Sequence, residues 1–160
     1  IFTPLVCYAT PVESSTSKVG VKTRGNVVDI CLKKSKRIFE QLNKINLIVD
    51  IEKGEVIRII QAEESIRVIL DEKNLDKFFE FISKNDCTSI EKNLAEINLH
   101  FAIEASKTKG IISLISSSLN AEDINIVEII SCAPELLVFI KKEDLIKALN
   151  VINNLEHMFN

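Results

Sequence analysis

The segment Ala105-Ser106-Lys107-Thr108-Lys109-Gly110 is the part of this sequence best suited to hold a ligand. It joins an alternating apolar stretch to one with helical spacing, so it leads into the start of a helix. The first turn of a helix has N–H groups without a helical partner and a partial positive charge. A carboxylate suits such a place, and Gly110 lets the backbone come close to it. Ile111 follows as a wall. Asn125 and Ile126 begin the next apolar stretch, where the Asn125 amide can donate to or accept from polar groups. The candidate ligand-binding set is therefore Lys107, Thr108, Lys109, Gly110, Ile111, Asn125 and Ile126. A plainer account of the same residues has Gly110 only turning the chain and Asn125 only beginning a strand.

Basic residues precede the first helical stretch of both halves: Lys33, Lys34, Lys36 and Arg37 in one, Lys107 and Lys109 in the other. Cations at a helix N-terminus are disfavoured by about 0.3–1 kcal/mol each. Their placement points to an anion or an acidic partner surface nearby, or to a solvated loop with screened charges.

Other chemistry lacks its residues. The four glycines do not cluster into a phosphate-cradling loop. His100 falls in an alternating stretch and His157 at the C-terminal end, neither beside a nucleophile in a catalytic arrangement. The pairs Glu63-Glu64 and Glu122-Asp123 fall in turns and read as solvated charge. Cys7, Cys31, Cys87 and Cys132 are too far apart for a zinc motif. Three of them lie in or beside apolar runs and are expected as small buried hydrophobes in a reducing compartment, the cytoplasm. No catalytic residue, metal or cofactor is expected.

These residues must be positioned by elements that the apolar pattern outlines. Residues 1–18 read as a loop or linker. Val19, Val21 and Thr23 alternate, Arg24-Gly25-Asn26 reads as a turn, and 27–32 as a second strand. Ile38, Leu42, Ile45 and Val49 share one helical face, which predicts a long helix ending at Gly54, although the Ile- and Val-rich stretch 46–51 also suits a strand. Strands over 56–60 and 66–70 form a hairpin. A helix with Leu75, Phe78, Phe79 and Ile82 follows, with Asn74 as its N-cap. The second half repeats the order: an alternating strand through 97–103, a helix opening at Gly110, strands over 124–131 and 136–140 with Pro134 at the turn between them, and a helix over 143–155. Ser116-Ser117-Ser118 in the first of these helices reads as close packing against a neighbour.

The repeat is internal to the sequence. A shift of 70 residues lays Ile59 on Ile129, Val68 on Val138, Leu75 on Leu145 and Ile82 on Ile152. At the front of each half a shift of 67 lays Asn26 on Asn93 and Asp29 on Glu96. The mismatch predicts three extra residues between the first strand and first helix of the second half. Each half reads β-α-β-β-α. The expected fold is α+β: two ferredoxin-like βαββα repeats with antiparallel sheets and helices on one face. The expected divisions are a linker over 1–18, a first repeat over 19–85 and a second over 86–160.

The second half resembles the ACT domain family. The resemblance is carried by Gly110-Ile111-Ile112-Ser113-Leu114-Ile115, Asp123-Ile124-Asn125-Ile126-Val127-Glu128, Ser131, Glu135-Leu136-Leu137-Val138-Phe139-Ile140 and Glu143-Asp144-Leu145-Ile146-Lys147-Ala148. It covers about residues 88–155 and is similar to the tandem regulatory repeats of aspartate kinase and to archaeal stand-alone ACT proteins. The first half departs from the pattern, since Glu40 falls opposite Gly110 and Gly54-Glu55-Val56 replaces Ile124-Asn125-Ile126. The resemblance implies a non-catalytic regulatory module that senses a small ligand, an amino acid in many members. It also implies a homodimer or pairing of the two repeats. The alternative is a protein–protein interaction module without a small ligand.

Composition agrees with a globular chain: 160 residues, 46% hydrophobic and 27% charged. A formal net charge of -3 argues against nucleic acid or an acidic membrane as partner. No apolar run is long enough to span a bilayer. The chain begins at Ile1, so a processed chain or a piece of a longer protein is expected.

Overall fold

The computed structural model describes residues 19–102 and 108–156. Its elements are β1 (Gly20–Lys33), α1 (Lys36–Leu42), β2 (Ile57–Gln61), β3 (Ser65–Asp71), α2 (Leu75–Phe81), β4 (Cys87–His100), α3 (Ile111–Ala121), β5 (Ile126–Cys132), β6 (Glu135–Lys141) and α4 (Leu145–Glu156). The fold is α+β with an antiparallel sheet, in which the strands follow the order β2-β3-β1-β4-β6-β5. Two compact units divide the chain. One is Arg24–Ala95, and the other joins the described residues up to Thr23 to those from Glu96 onward.

The repeat is visible in strand register. In the Arg24–Ala95 unit Ile59 lies opposite Val68 and Gln61 opposite Ile66. In the other unit Ile129 lies opposite Val138 and Ser131 opposite Leu136. The same residue types therefore meet at equivalent rungs, as the 70-residue shift requires.

In the Arg24–Ala95 unit alternate residues of β1 and β3 build the core. Val28, Ile30, Leu32, Ile66, Val68 and Leu70 pack with Ile38 and Leu42 of α1 and with Leu75 and Phe78 of α2. This is the period-two face of strands meeting the 3.6-period face of helices. In the other unit Ile111, Ile115 and Leu119 of α3, Ala148 and Ile152 of α4, and Leu136–Ile140 of β6 are buried.

Four local expectations change. The turn at 24–26 is absent, and β1 runs unbroken. Asn26 takes a left-handed φ of 56° within the strand, and Asn93 takes the same value within β4. Asparagine tolerates that conformation, so the chain bends without ending its pairing. The helix expected to reach Gly54 stops at Leu42. Two 3-10 turns, Ile45–Leu47 and Ile51–Lys53, follow, and Gly54 (φ 75°) caps the second. Ile45, Ile48 and Val49 are still buried, so the apolar spacing reported burial and not helix. Asp50 Oδ1 accepts from the Lys53 amide and caps the second of these turns. Asn74 precedes α2 without a side-chain cap. Its amide donates instead to Glu55 Oε2 at 2.8 Å. Finally, the extra chain before α3 exceeds three residues: only Lys34 and Ser35 separate β1 from α1, whereas residues 101–110 separate β4 from α3.

None of the three described cysteines is buried. Cys31 and Cys87 are half-buried and Cys132 is exposed. Ser117 is exposed and Ser116 Oγ donates back to the Ile112 carbonyl at 2.6 Å, so of the three serines only the half-buried Ser118 is left to pack against a neighbour.

Candidate functional site

The site lies within the Glu96–Asn160 part of the chain. Gly110 is the N-cap of α3 at φ 89° and supplies no side chain to accept from the first turn. The left-handed value suits glycine. The first helical bond runs from the Leu114 amide to the Gly110 carbonyl at 2.8 Å. The amides of Ile111, Ile112 and Ser113 lie ahead of it and have no helical acceptor.

Opposite this helix end stands the hairpin between β5 and β6. The Phe101 amide donates to the Pro134 carbonyl at 2.9 Å and ties the end of β4 to that hairpin. Between them is an open cleft of about 350 Å³. Thr108, Gly110, Ile111, Ile112 and Ser113 form one wall. Ser131, Ala133, Pro134, Glu135 and Leu136 form the other, with Phe101 beside them. Glu135 is held in place: its Oε2 accepts from Asn98 Nδ2 at 2.9 Å, and its Oε1 lies 3.9 Å from His100 Nδ1. The cleft thus offers amide donors and a partial positive charge on one side, a carboxylate on the other, and apolar surface and hydroxyls between. It can bind a small molecule carrying both signs of charge. Among the described residues no group of three His, Cys, Asp or Glu side chains could hold a metal ion.

Of the residues expected from sequence, Thr108, Gly110 and Ile111 come together in this lining. Lys109 sits in the turn before the helix, exposed and outside the lining. Lys107 lies outside the described residues. Asn125 and Ile126 are not in the lining. Asn125 immediately precedes β5, whereas the cleft uses that strand's last residues and the turn beyond. Strands rise about 3.3 Å per residue, so the length of β5 separates the two places. Sequence reasoning missed Glu135, Asn98 and Phe101. The available signal for Glu135 was an isolated acid next to Pro134 at a hairpin, but its partners are remote in sequence.

The Arg24–Ala95 unit closes the equivalent place with its own side chains. Ser35 caps α1, its Oγ accepting from the Ile38 amide at 3.3 Å. Lys34 Nζ reaches the β2–β3 turn and donates to the Ala62 and Glu63 carbonyls at 3.1 Å each. Arg37 pairs with Asp86 at 2.5 Å, Lys36 with Glu40 at 4.0 Å, and Lys33 donates to the Asn85 carbonyl at 3.4 Å. The basic cluster thus corrects the expectation of an outside anion here, because carbonyls and carboxylates of the same unit answer its charge.

The segment after α1 is locked in the same way. Glu55 accepts from the Asp50 amide at 2.9 Å and from Asn74, and pairs with Lys73 at 2.6 Å. The Lys73 ammonium, then the Asp50 amide and the Asn74 amide, hold its carboxyl down at about 2.

No protein-family model and no curated protein sequence matches the chain. Solved structures do. An aspartate kinase of Clostridium acetobutylicum is 23% identical over 88% of this chain and 34% of its own, with a TM-score of 0.68. The regulatory subunit of aspartate kinase from Thermus flavus is 13% identical over 87% of this chain and 98% of its own, with a TM-score of 0.68. E. coli aspartokinase III in complex with lysine and aspartate is 18% identical over 92% of this chain and 35% of its own, with a TM-score of 0.57. The chain therefore spans about a third of the whole enzymes and nearly all of the separate regulatory subunit. Its fold is that of the regulatory ACT repeats of aspartate kinases.

Proposed function

We propose that this chain is a non-catalytic regulatory module that binds a free amino acid in the cleft between α3 and the β5–β6 hairpin. The observation that carries this reading is the pairing of opposite charges across one small cleft: uncapped helix amides at Gly110–Ser113 and the Glu135 carboxylate. An amino acid carries a carboxylate for the first and an ammonium for the second. A related fold, E. coli aspartokinase III, has been captured with lysine and aspartate, which supports a ligand of this class. The module regulates an allosteric enzyme such as aspartate kinase, joined to it or as a separate subunit. It works through pairing of its repeats or with a second copy, in the cytoplasm, without nucleic acid or membrane as partner. No helix among the described residues is long and apolar enough to cross a membrane.

The test is a thermal-shift screen against the twenty amino acids with a parallel size measurement in solution. Binding to the folded state alone stabilises by RT ln(1 + [L]/Kd), about 2.7 kcal/mol at a hundredfold excess over Kd. A rise with an amino acid that Gly110→Val abolishes is the expected result. No rise with any of them, together with a stable dimer, would replace this reading with the protein–protein interaction module.

A further inference from the structure

We infer that Lys34 is a releasable fastener, whose ammonium holds the β1–α1 link to the β2–β3 turn and keeps that corner of the Arg24–Ala95 unit closed from within the chain. The inference does not depend on what the cleft of the other unit binds.

Each unit ties its first strand–helix link to the turn of its hairpin, and the two ties differ in chemistry. In the unit containing α3 the tie is backbone: the Phe101 amide donates to the Pro134 carbonyl at 2.9 Å. In the Arg24–Ala95 unit Lys34 stands where the repeat places Phe101. Its Nζ donates to the Ala62 and Glu63 carbonyls at 3.1 Å each. A backbone amide stays in place when the side chain changes. An ammonium at the end of a four-carbon stem is lost once its charge or its amine is removed.

The turn is shaped to receive this group. The Ala62 amide donates to the Ser65 carbonyl at 2.9 Å and closes the turn, while the Ala62 and Glu63 carbonyls converge on one nitrogen. An ammonium carries three donors, so it serves both carbonyls at once. Glu63 and Glu64 add negative charge to the same turn. The neighbouring cations go elsewhere: Lys33 donates to the Asn85 carbonyl at 3.4 Å and Arg37 pairs with Asp86 at 2.5 Å. The cations of one short link are thus divided between two loops, and of these three Lys34 is the one that reaches the turn. Lys34 is exposed, so its bonds contribute little to global stability. They act on local opening, which proceeds without unfolding of the whole unit.

Hydrogen exchange of the Ala62 amide, followed by NMR in the full chain, tests this. The Val68 amide, at a fully buried position of β3, serves as the reference for global opening. Lys34→Met keeps the length of the side chain and removes its donors. It should speed Ala62 exchange relative to Val68 about two- to fivefold, the scale of an exposed charged contact. Lys34→Arg keeps charge and donors, and should lie closer to the unaltered chain than Lys34→Met does. Lys33→Met should leave the ratio unchanged, because Lys33 ties the other loop. Taking the ratio removes any general loss of stability in a variant. A ratio unmoved by Lys34→Met, or raised equally by Lys33→Met, would overturn the inference.

Discussion

The two units start their first helix in opposite ways. In the Arg24–Ala95 unit the linker is Lys34-Ser35, the serine hydroxyl caps α1, and the lysine ammonium clamps the facing turn at Ala62 and Glu63. In the other unit Phe101 stands where the 67-residue shift places Lys34, a longer loop intervenes, and Gly110 replaces the hydroxyl cap. At the facing strand Ser65 begins β3 and Glu135 begins β6. One helix end thus has its donors met from within, and the other presents them to a cleft across from a carboxylate. Equivalent backbones become a closed end or an open cleft according to three or four side chains. The comparison also shows why a glycine at a helix start carries information: it withholds a cap that serine provides.

The largest effects should come where the two units agree. Phe78 and Phe139 are fully buried, and Phe78→Ala or Phe139→Ala should each cost about 3–5 kcal/mol in urea unfolding. A loss below about 1 kcal/mol at either site would break the claim that both units rest on packed cores. Next comes Gly110→Val. A Cβ there meets nothing within 4 Å, so its cost arises from φ 89° alone, about 1–2 kcal/mol. An unchanged midpoint would mean that the helix start is not held left-handed. Ser35→Ala should cost about 1 kcal/mol and Ser35→Gly a few tenths, and equal losses would show that the hydroxyl cap matters little. The smallest effect concerns acid. Glu55 has a folded value of about 2 against an ordinary 4.5, so folding favours its ionised form. Its contribution is present above pH 4.5 and is lost as pH falls towards 2. Glu55→Gln should flatten the acid side of the stability curve over that window, and a curve of unchanged shape would detach this lock from stability.

Much of the architecture was legible because it depends on neighbours along the chain. The apolar β-rich runs at 66–70 and 136–140, the helical spacing around Ile111, Ile115 and Leu119, and the 70-residue repeat all survive as observed strands, helices and register. The pairing of Asn26 with Asn93 held to the level of backbone angle, both at φ 56°. The conformation of 43–54 was not legible, since Ile45, Ile48 and Val49 are buried in either a helix or a series of tight turns. The site was legible on one wall only. Thr108, Gly110 and Ile111 announce a helix start by local rules, whereas Asn125 was attractive as the next strand's first polar residue and lies at the other end of that strand from the cleft.

By itself, then, the sequence determined element types, their order, the repeat and the glycine-led helix start, because each follows from spacing and backbone preference within a few residues. Only the tertiary structure decided that Lys34 meets Ala62, that Glu55 meets Asn74, and that Asn98 and Glu135 stand together at the edge of the cleft. Such contacts join residues far apart in the chain. Whether a charge is satisfied or left for a ligand depends on which partners folding delivers to it, a property that no local pattern encodes.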